Sequence, residues 1–178
     1  MTPTIADCLE QRYLRPVFQP IGSLATGDIL GYEALIRGPV GTPLENPVAL
    51  FAEAARAGAL VRMERLAART AIAAFMQARL PGKLFLNYSA DSLRDIEDTR
   101  EDVRNFLQRV DMPSDRIVLE LTEQAPLGPL ESLTKAVFSI RARGAQFALD
   151  DYGTGHANLG QWIAMKPDYV KIASVVID

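Results

Sequence analysis

The stretch FALDDYGTGH, residues 147–156, joins an apolar segment to a charged one. Its apolar residues have strand character and lead directly into Asp150 and Asp151, which a Gly-Thr-Gly turn follows. An ionised carboxylate is costly to bury unless it is paired. A buried strand that ends in two adjacent acids therefore raises the question of what lies opposite them. The glycine turn alone decides little, because glycines after a strand usually serve a tight turn.

The segments around this stretch alternate between strand and helix patterns. Strands at 17–21 and 29–37 flank a short turn, which predicts an antiparallel pair. Further strands are predicted at 84–89, 117–123, 146–152 and 169–173, and helices at 47–57, 60–80, 99–110, 130–143 and 157–165. Strands that alternate with helices predict βα units and a parallel sheet with both faces covered. We expect an α/β fold.

Polar side chains occur late in successive predicted strands. They are Glu33, Asn87, Glu120, Asp150 with Asp151, and Lys171. In a (β/α) barrel, the carboxyl ends of the parallel strands meet at one face, where ligand sites are built. We therefore expect these side chains to converge.

A cluster of this composition indicates a bound cation. Lys171 neutralises one of the acids and not all of them, while Asp, Glu and Asn oxygens are the ligands that hard cations such as Mg²⁺ or Mn²⁺ prefer. The acids are compatible with one ion, or with two ions between which Asp150 and Asp151 are divided. For each of these acids considered alone, the alternative to metal binding is a role as a helix cap or as a solvated loop residue.

Composition excludes several classes of function. A formal net charge of −3 argues against a protein that holds a nucleic acid polymer through its phosphates. Cys8 and His156 are the single cysteine and histidine, so a disulfide framework or a Cys/His zinc site is excluded. We expect His156 to be a loop residue and Cys8 to be structurally neutral. The sequence predicts neither a signal peptide nor a membrane segment. We therefore expect a cytoplasmic location.

Six motifs in order resemble the EAL family of cyclic di-GMP phosphodiesterases. They are FQPI (18–21), YEALIRG (32–38), LFLNYS (84–89), LELTE (119–123), LDDYGTG (149–155) and PDYVKI (167–172). The resemblance implies a TIM-barrel-like (β/α) barrel with one antiparallel strand. Because a complete barrel of this kind has about 250 residues, we expect residues 1–178 to form a single EAL-like domain that is incomplete at its C-terminal end, with about six of the eight strands.

The resemblance also implies an activity and a set of site residues. The activity is Mg²⁺- or Mn²⁺-dependent hydrolysis of cyclic di-GMP to linear pGpG. The implied metal ligands are Glu33, Asn87, Glu120 and Asp150 for one ion and Asp151 for the second, and the implied catalytic residues are Glu33, Asp151 and Lys171, with Lys171 holding the attacking water. Arg37 is implied to pair with a substrate phosphate, and Gln19 and Leu35 to contact a guanine. Glu123 is implied to brace the 150–155 loop, which in the family couples the site to dimerisation.

Two departures from the family pattern bear on the activity. Ala173 stands where the family has an aspartate after the Lys-Ile pair, and the family continues beyond this length with further site residues. Two alternatives to the enzyme therefore remain: a non-catalytic cyclic di-GMP receptor and a regulatory interaction module. We expect a homodimer, and GGDEF or sensory domains in a longer parent protein.

Overall fold

The computed structural model describes residues 3–98, 100–121, 129–152 and 163–172, and it leaves out the side chains of residues 97–103, 151 and 152. The helices are α1 (Ile5–Gln11), α2 (Pro47–Arg56), α3 (Leu60–Gln77), α4 (Ala90–Asp98), α5 (Arg100–Arg109) and α6 (Leu130–Arg141). The strands are β1 (Arg15–Gly22), β2 (Ile29–Arg37), β3 (Lys83–Tyr88), β4 (Ile117–Leu121), β5 (Gln146–Tyr152) and β6 (Tyr169–Ile172). Within the described ranges, no helix has the length and apolar character needed to cross a membrane.

The chain divides into two compact units, Met1–Leu84 and Phe85–Asp178, and β3 crosses the boundary between them. In the first unit, β1 and β2 form the predicted antiparallel pair, in which Gln19 lies opposite Glu33. β2 is followed in sheet order by β3. The prediction of an antiparallel hairpin is confirmed.

Helices α2 and α3 cover one face of this hairpin. The Asn46 side chain accepts a hydrogen bond from the amide of Val48, and Pro47 occupies the first turn, so α2 begins where the sequence predicts. Residues at intervals of four along α3 are buried, and they end at Phe75, which is fully enclosed. The Phe75 ring packs edge-on against Phe18 and Tyr32 at centroid distances of 5.9 and 6.2 Å.

A close backbone approach sets the spacing between β2 and β3. A Cβ atom on Gly31 would lie 2.3 Å from the carbonyl oxygen of Lys83, and one on Gly82 would lie 2.5 Å from that of Leu30. Gly82 also has φ of +73°, which disfavours any residue with a side chain. Glycine is therefore required at both positions for β2 to pair with β3.

The second unit holds the remainder of β3 with β4, β5 and β6, in that sheet order. β4 pairs with β5 and β5 with β6, both in parallel, as predicted from the alternation of strands and helices. α6 provides the crossover from β4 to β5 and buries Leu133, Val137 and Ile140.

The sheet of the second unit is curved. Phe85 on β3 and Tyr169 on β6 pack edge to face with ring centroids 5.4 Å apart. Two strands lie between β3 and β6 in the sheet, so a flat sheet would separate them by about 14 Å. The ring contact therefore requires the edges of this sheet to curl towards each other, as strands of a barrel do.

Two helices were not predicted, and one expectation was wrong. α1 is only seven residues long, but Thr4 and Asp7 form a reciprocal capping box that begins it. Cys8, expected to be structurally neutral, lies on α1 and is completely buried. α4 precedes the predicted helix at 99–110, which the structure places at Arg100–Arg109.

Candidate functional site

One face of the β1–β2 hairpin carries all the predicted site residues of the first unit. Directly opposed residues of an antiparallel pair share a face, and so do alternate residues of one strand. This hairpin face therefore has three rungs about 7 Å apart: Gln19 with Glu33, Val17 with Leu35, and Arg15 with Arg37. The helices cover the other face, through Phe18 and Tyr32.

The hairpin face changes in character along its length. Its first rung combines a carboxylate with an amide, the second is apolar, and the third has two arginines. Glu33, Leu35 and Arg37 are half-buried, and Gln19 is exposed. Arg37 lies at the carboxyl end of β2 and donates a hydrogen bond of 3.0 Å to the carbonyl of Ile36.

In the second unit, three strands contribute to a carboxylate–lysine cluster of Glu120, Asp150 and Lys171. The Lys171 Nζ lies 3.2 Å from Glu120 Oε1 and 3.4 Å from Asp150 Oδ1. The Glu120 side chain is completely buried, that of Asp150 is 16% exposed and that of Lys171 is 32% exposed. All three lie at or near the carboxyl ends of neighbouring parallel strands, where the sequence predicted convergence.

The electrostatics of this cluster favour a cation. Lys171 offsets much of the cost of burying Glu120, since an opposite charge within hydrogen-bonding distance compensates for lost hydration. The two carboxylates and the ammonium of this cluster together carry one net negative charge, and both carboxylates are largely or completely buried. The donor atoms are carboxylate oxygens, which suit a hard divalent ion. These residues therefore fit a site for Mg²⁺ or Mn²⁺.

The base of β6 is fixed by Asp168, three residues before Lys171. Asp168 accepts a hydrogen bond of 3.0 Å from the amide of Phe147 and another of 3.0 Å from Arg141. The amide of Asp168 donates to the carbonyl of Phe147 at 2.8 Å. This Asp168 clamp aligns β6 with β5 and so contributes to the position of Lys171 beside Asp150.

Some of the other predicted site residues lie among the described residues, and others do not. Asn87 is half-buried in β3, and Asp151 is in β5, although its side chain lies outside the described residues. Glu123 and Ala173 lie wholly outside them. Among the residues that are described, no group of three or more Asp, Glu, His or Cys side chains is placed to hold a metal ion. The structure thus brings together Glu120, Asp150 and Lys171 of the predicted set.

Two residues of this region were missed by the sequence analysis. Phe85 lies two residues before Asn87, and Tyr169 two residues before Lys171, so each shares a face with a predicted site residue. Burial is the main reason that the pKa of Tyr169 is raised, and the nearby Asp168 charge contributes. Alternate residues of a strand share a face, so the positions two residues before Asn87 and Lys171 would also have identified this aromatic pair.

Comparison with known proteins identifies the family. The sequence profile described as EAL domain matches residues 4–178. The Escherichia coli cyclic di-GMP phosphodiesterase PdeL is 30% identical over 179 residues, which is 97% of this chain and 49% of PdeL. An uncharacterised Azorhizobium caulinodans protein is 33% identical over 90% of this chain and 23% of its own length. This chain thus spans about half or less of these relatives.

Solved structures give the same result. Klebsiella pneumoniae BlrP1, in a complex with calcium and cyclic di-GMP, superposes with a TM-score of 0.81 at 26% identity over 99% of this chain and 43% of BlrP1. Bacillus subtilis YkuI, at 23% identity, shares the fold with a TM-score of 0.81 over 99% of this chain and 45% of YkuI. The six predicted strands, the antiparallel first pair and the TIM-barrel-like α/β fold are confirmed. With its family profile matched along nearly the whole sequence, the chain belongs to the EAL domain family.

Proposed function

We propose that this chain carries the core of a metal-dependent phosphodiesterase that hydrolyses cyclic di-GMP to linear pGpG. The observation that carries the proposal is the carboxylate–lysine cluster, in which Lys171 Nζ lies within 3.4 Å of both Glu120 and Asp150. A buried acid, a second acid and a lysine at adjacent strand ends suit phosphoryl chemistry. The name of PdeL and the BlrP1 complex support cyclic di-GMP as the substrate.

The metal site is proposed from the donor chemistry and from the family pattern. Glu33, Asn87, Glu120 and Asp150 would hold one Mg²⁺ or Mn²⁺, and Asp151 would hold the second. When bound, the ions supply Lewis-acid stabilisation of the negative charge that develops on the reacting phosphate. Manganese in a second BlrP1 complex, at 26% identity, supports a divalent metal of this kind.

The remaining residues of the site bind and orient the reactants. Lys171 would donate a hydrogen bond that holds the attacking water, and Glu33 and Asp151 are the acids that we propose to accept its proton. The water oxygen bonds to phosphorus, the bond to the ribose oxygen breaks, and that oxygen takes up a proton. Arg37 pairs with a phosphate through its forked guanidinium, and Gln19 and Leu35 contact a guanine.

Product analysis tests this proposal. The chain is incubated with cyclic di-GMP and Mg²⁺ or Mn²⁺, and pGpG is quantified by chromatography. We expect pGpG with either metal and none in EDTA, and a loss of turnover in Asp150→Asn. Arg56→Gln, which changes an exposed arginine of α2, serves as the matched surface control. Absence of pGpG with both metals, in a chain that binds cyclic di-GMP, would contradict the enzyme.

Ala173 favours a second candidate, a receptor that binds cyclic di-GMP without hydrolysing it. The residue lies outside the described part of the chain, and its family counterpart is an acid next to the proposed metal site. Under the receptor hypothesis, titration detects binding while no pGpG forms. Turnover gained by Ala173→Asp would then locate the deficit at this position. A chain that binds no cyclic di-GMP would instead be a regulatory interaction module.

The organisation of the protein also remains a proposal. The profile match from residue 4 to residue 178 supports one EAL domain over residues 1–178. We further propose a cytoplasmic homodimer, a bracing role for Glu123 and GGDEF or sensory domains elsewhere in a longer protein. Size-exclusion chromatography with light scattering tests the dimer.

A further inference from the structure

Arg15 lies directly opposite Arg37 on the hairpin face. Because β1 runs antiparallel to β2, the first residue of β1 lies at the same end of the hairpin as the last residue of β2. Both side chains point to the face that carries Glu33 and Leu35, away from the helices. The proposed phosphate-binding residue therefore has a second arginine beside it.

Two like charges directly opposite each other destabilise a strand pair. The structure reduces this repulsion through Glu45, whose Oε1 lies 3.6 Å from Arg15 Nη2. Glu45 is itself held in place, since its Oε2 accepts a hydrogen bond of 2.8 Å from the amide of Gly41. An anion placed between the two arginines would remove the same repulsion more completely.

Arg15 remains accessible to such an anion. Its side chain is 54% exposed, and the Glu45 carboxylate is 37% exposed. Ion pairs at this degree of exposure are weak, so exchanging one acidic partner for another costs little. Arg37 uses an N–H group of its guanidinium to reach the Ile36 carbonyl, which fixes the orientation of its fork.

We propose that Arg15 is a second phosphate-contacting residue, which binds the same phosphate of the dinucleotide as Arg37. This inference rests on the proposed function, because it names a further residue of the same site. The middle rung of Val17 and Leu35 separates this basic rung from Glu33, so the hairpin face presents acidic, apolar and basic zones in order. The apolar rung would contact a guanine of the ligand, and the basic rung would contact one of its phosphates.

Titration of the full chain with cyclic di-GMP in the presence of Ca²⁺ tests the proposal. We expect Arg15→Gln to weaken binding by roughly tenfold, because it removes a charge-assisted hydrogen bond. The dissociation constant of Arg15→Gln should also depend less steeply on KCl concentration. Arg56→Gln, the control, removes an exposed arginine that pairs with Glu53 on α2, and we expect a change of less than about twofold.

Glu45→Gln separates ligand binding from loop anchoring. If Arg15 binds phosphate, removal of its acidic competitor leaves affinity unchanged or increases it. If Arg15 serves only to hold the loop through Glu45, both variants lose affinity equally, which overturns the proposal. Equal affinity of wild type and Arg15→Gln also overturns it. Absence of binding by the wild type would instead refute the proposed function, so the two failures are distinguishable.

Discussion

The carboxylate–lysine cluster brings opposite charges together, whereas the hairpin face brings like charges together. In the cluster, a completely buried Glu120 pairs with Lys171, so opposite charges face each other inside the fold. On the hairpin face, two arginines lie side by side, and Arg15 has a partially exposed acid as its partner. We therefore expect the cluster to contribute to stability as well as to the proposed chemistry, whereas changes on the hairpin face should cost little in stability.

The largest effect is expected for Lys171→Met, which tests the dual role of the cluster. The variant leaves Glu120 buried without its ammonium partner, so we expect a loss of about 3 kcal/mol in the free energy of unfolding. Turnover should fall by roughly 10²- to 10³-fold, because a preorganised donor is removed. Urea denaturation and pGpG formation measure the two effects.

A double variant provides the control. Glu120→Gln removes the buried charge, so Lys171→Met combined with Glu120→Gln should be more stable than Lys171→Met alone. Turnover should not return, because a proposed metal ligand is lost as well. If the double variant were less stable than the single one, Lys171 would not act by compensating Glu120.

Arg37→Ala tests the other side of the comparison. Hydrogen bonds to charged groups contribute about 1.5–3 kcal/mol, so we expect cyclic di-GMP affinity to fall roughly 10- to 100-fold. The free energy of unfolding should change by less than about 1 kcal/mol, because Arg37 is half-buried and its guanidinium donates to a backbone carbonyl. Calorimetric titration and urea denaturation, with Arg56→Ala as the control, measure both. A large loss of stability would remove the distinction between the two regions.

Gly31→Ala tests whether the close approach of β2 to β3 is rigid. The added methyl group would meet the Lys83 carbonyl oxygen at 2.3 Å, and this oxygen belongs to the backbone and cannot rotate away, so we expect a loss of about 1–3 kcal/mol. Gly22→Ala is the matched control, because its nearest contact is at 3.9 Å. Equal stabilities of the two variants, measured by thermal unfolding, would show that the β2–β3 approach is adaptable.

Arg141→Ala tests the corresponding support in the second unit. It removes the Arg141 contacts with Asp168 and with the Lys166 carbonyl, while the hydrogen bonds between Asp168 and Phe147 remain. We therefore expect a smaller loss, about 1 kcal/mol. Hydrogen exchange at the amides of β6 should rise more than exchange at those of β4. Uniform exchange across both strands would show that the Asp168 clamp does not align β6.

The sequence predicted the strands better than the contacts between them. Glu120, Asp150 and Lys171 were identified because polar residues at the ends of apolar strands interrupt a strong pattern, and parallel strands bring such ends together. Arg15 was not identified, because its relation to Arg37 depends on hairpin register and on no local pattern. α1 was missed because seven residues are too few for a clear period, so its capping box was the available signal.

The smallest effect is expected for Tyr169→Phe, beneath the cluster. The pKa of Tyr169 is raised from 10.0, mainly by burial, so its phenol stays protonated in the fold at pH values where the unfolded chain loses that proton. Between pH 10 and the folded pKa, the native state thus binds more protons, and this tyrosine makes stability fall as pH rises. Tyr169→Phe should show a shallower alkaline decline in urea denaturation.

Tyr13→Phe, at a tyrosine that is 44% exposed, serves as the control for this comparison. At neutral pH, Tyr169→Phe should cost less than about 0.5 kcal/mol, because its hydrogen bond to Gln146 is 3.4 Å long. The Phe85 ring contact is kept, so pGpG formation should be unchanged. A loss of turnover in Tyr169→Phe would mean that the hydroxyl positions Lys171. The cluster would then include Tyr169 as well as its three charged residues.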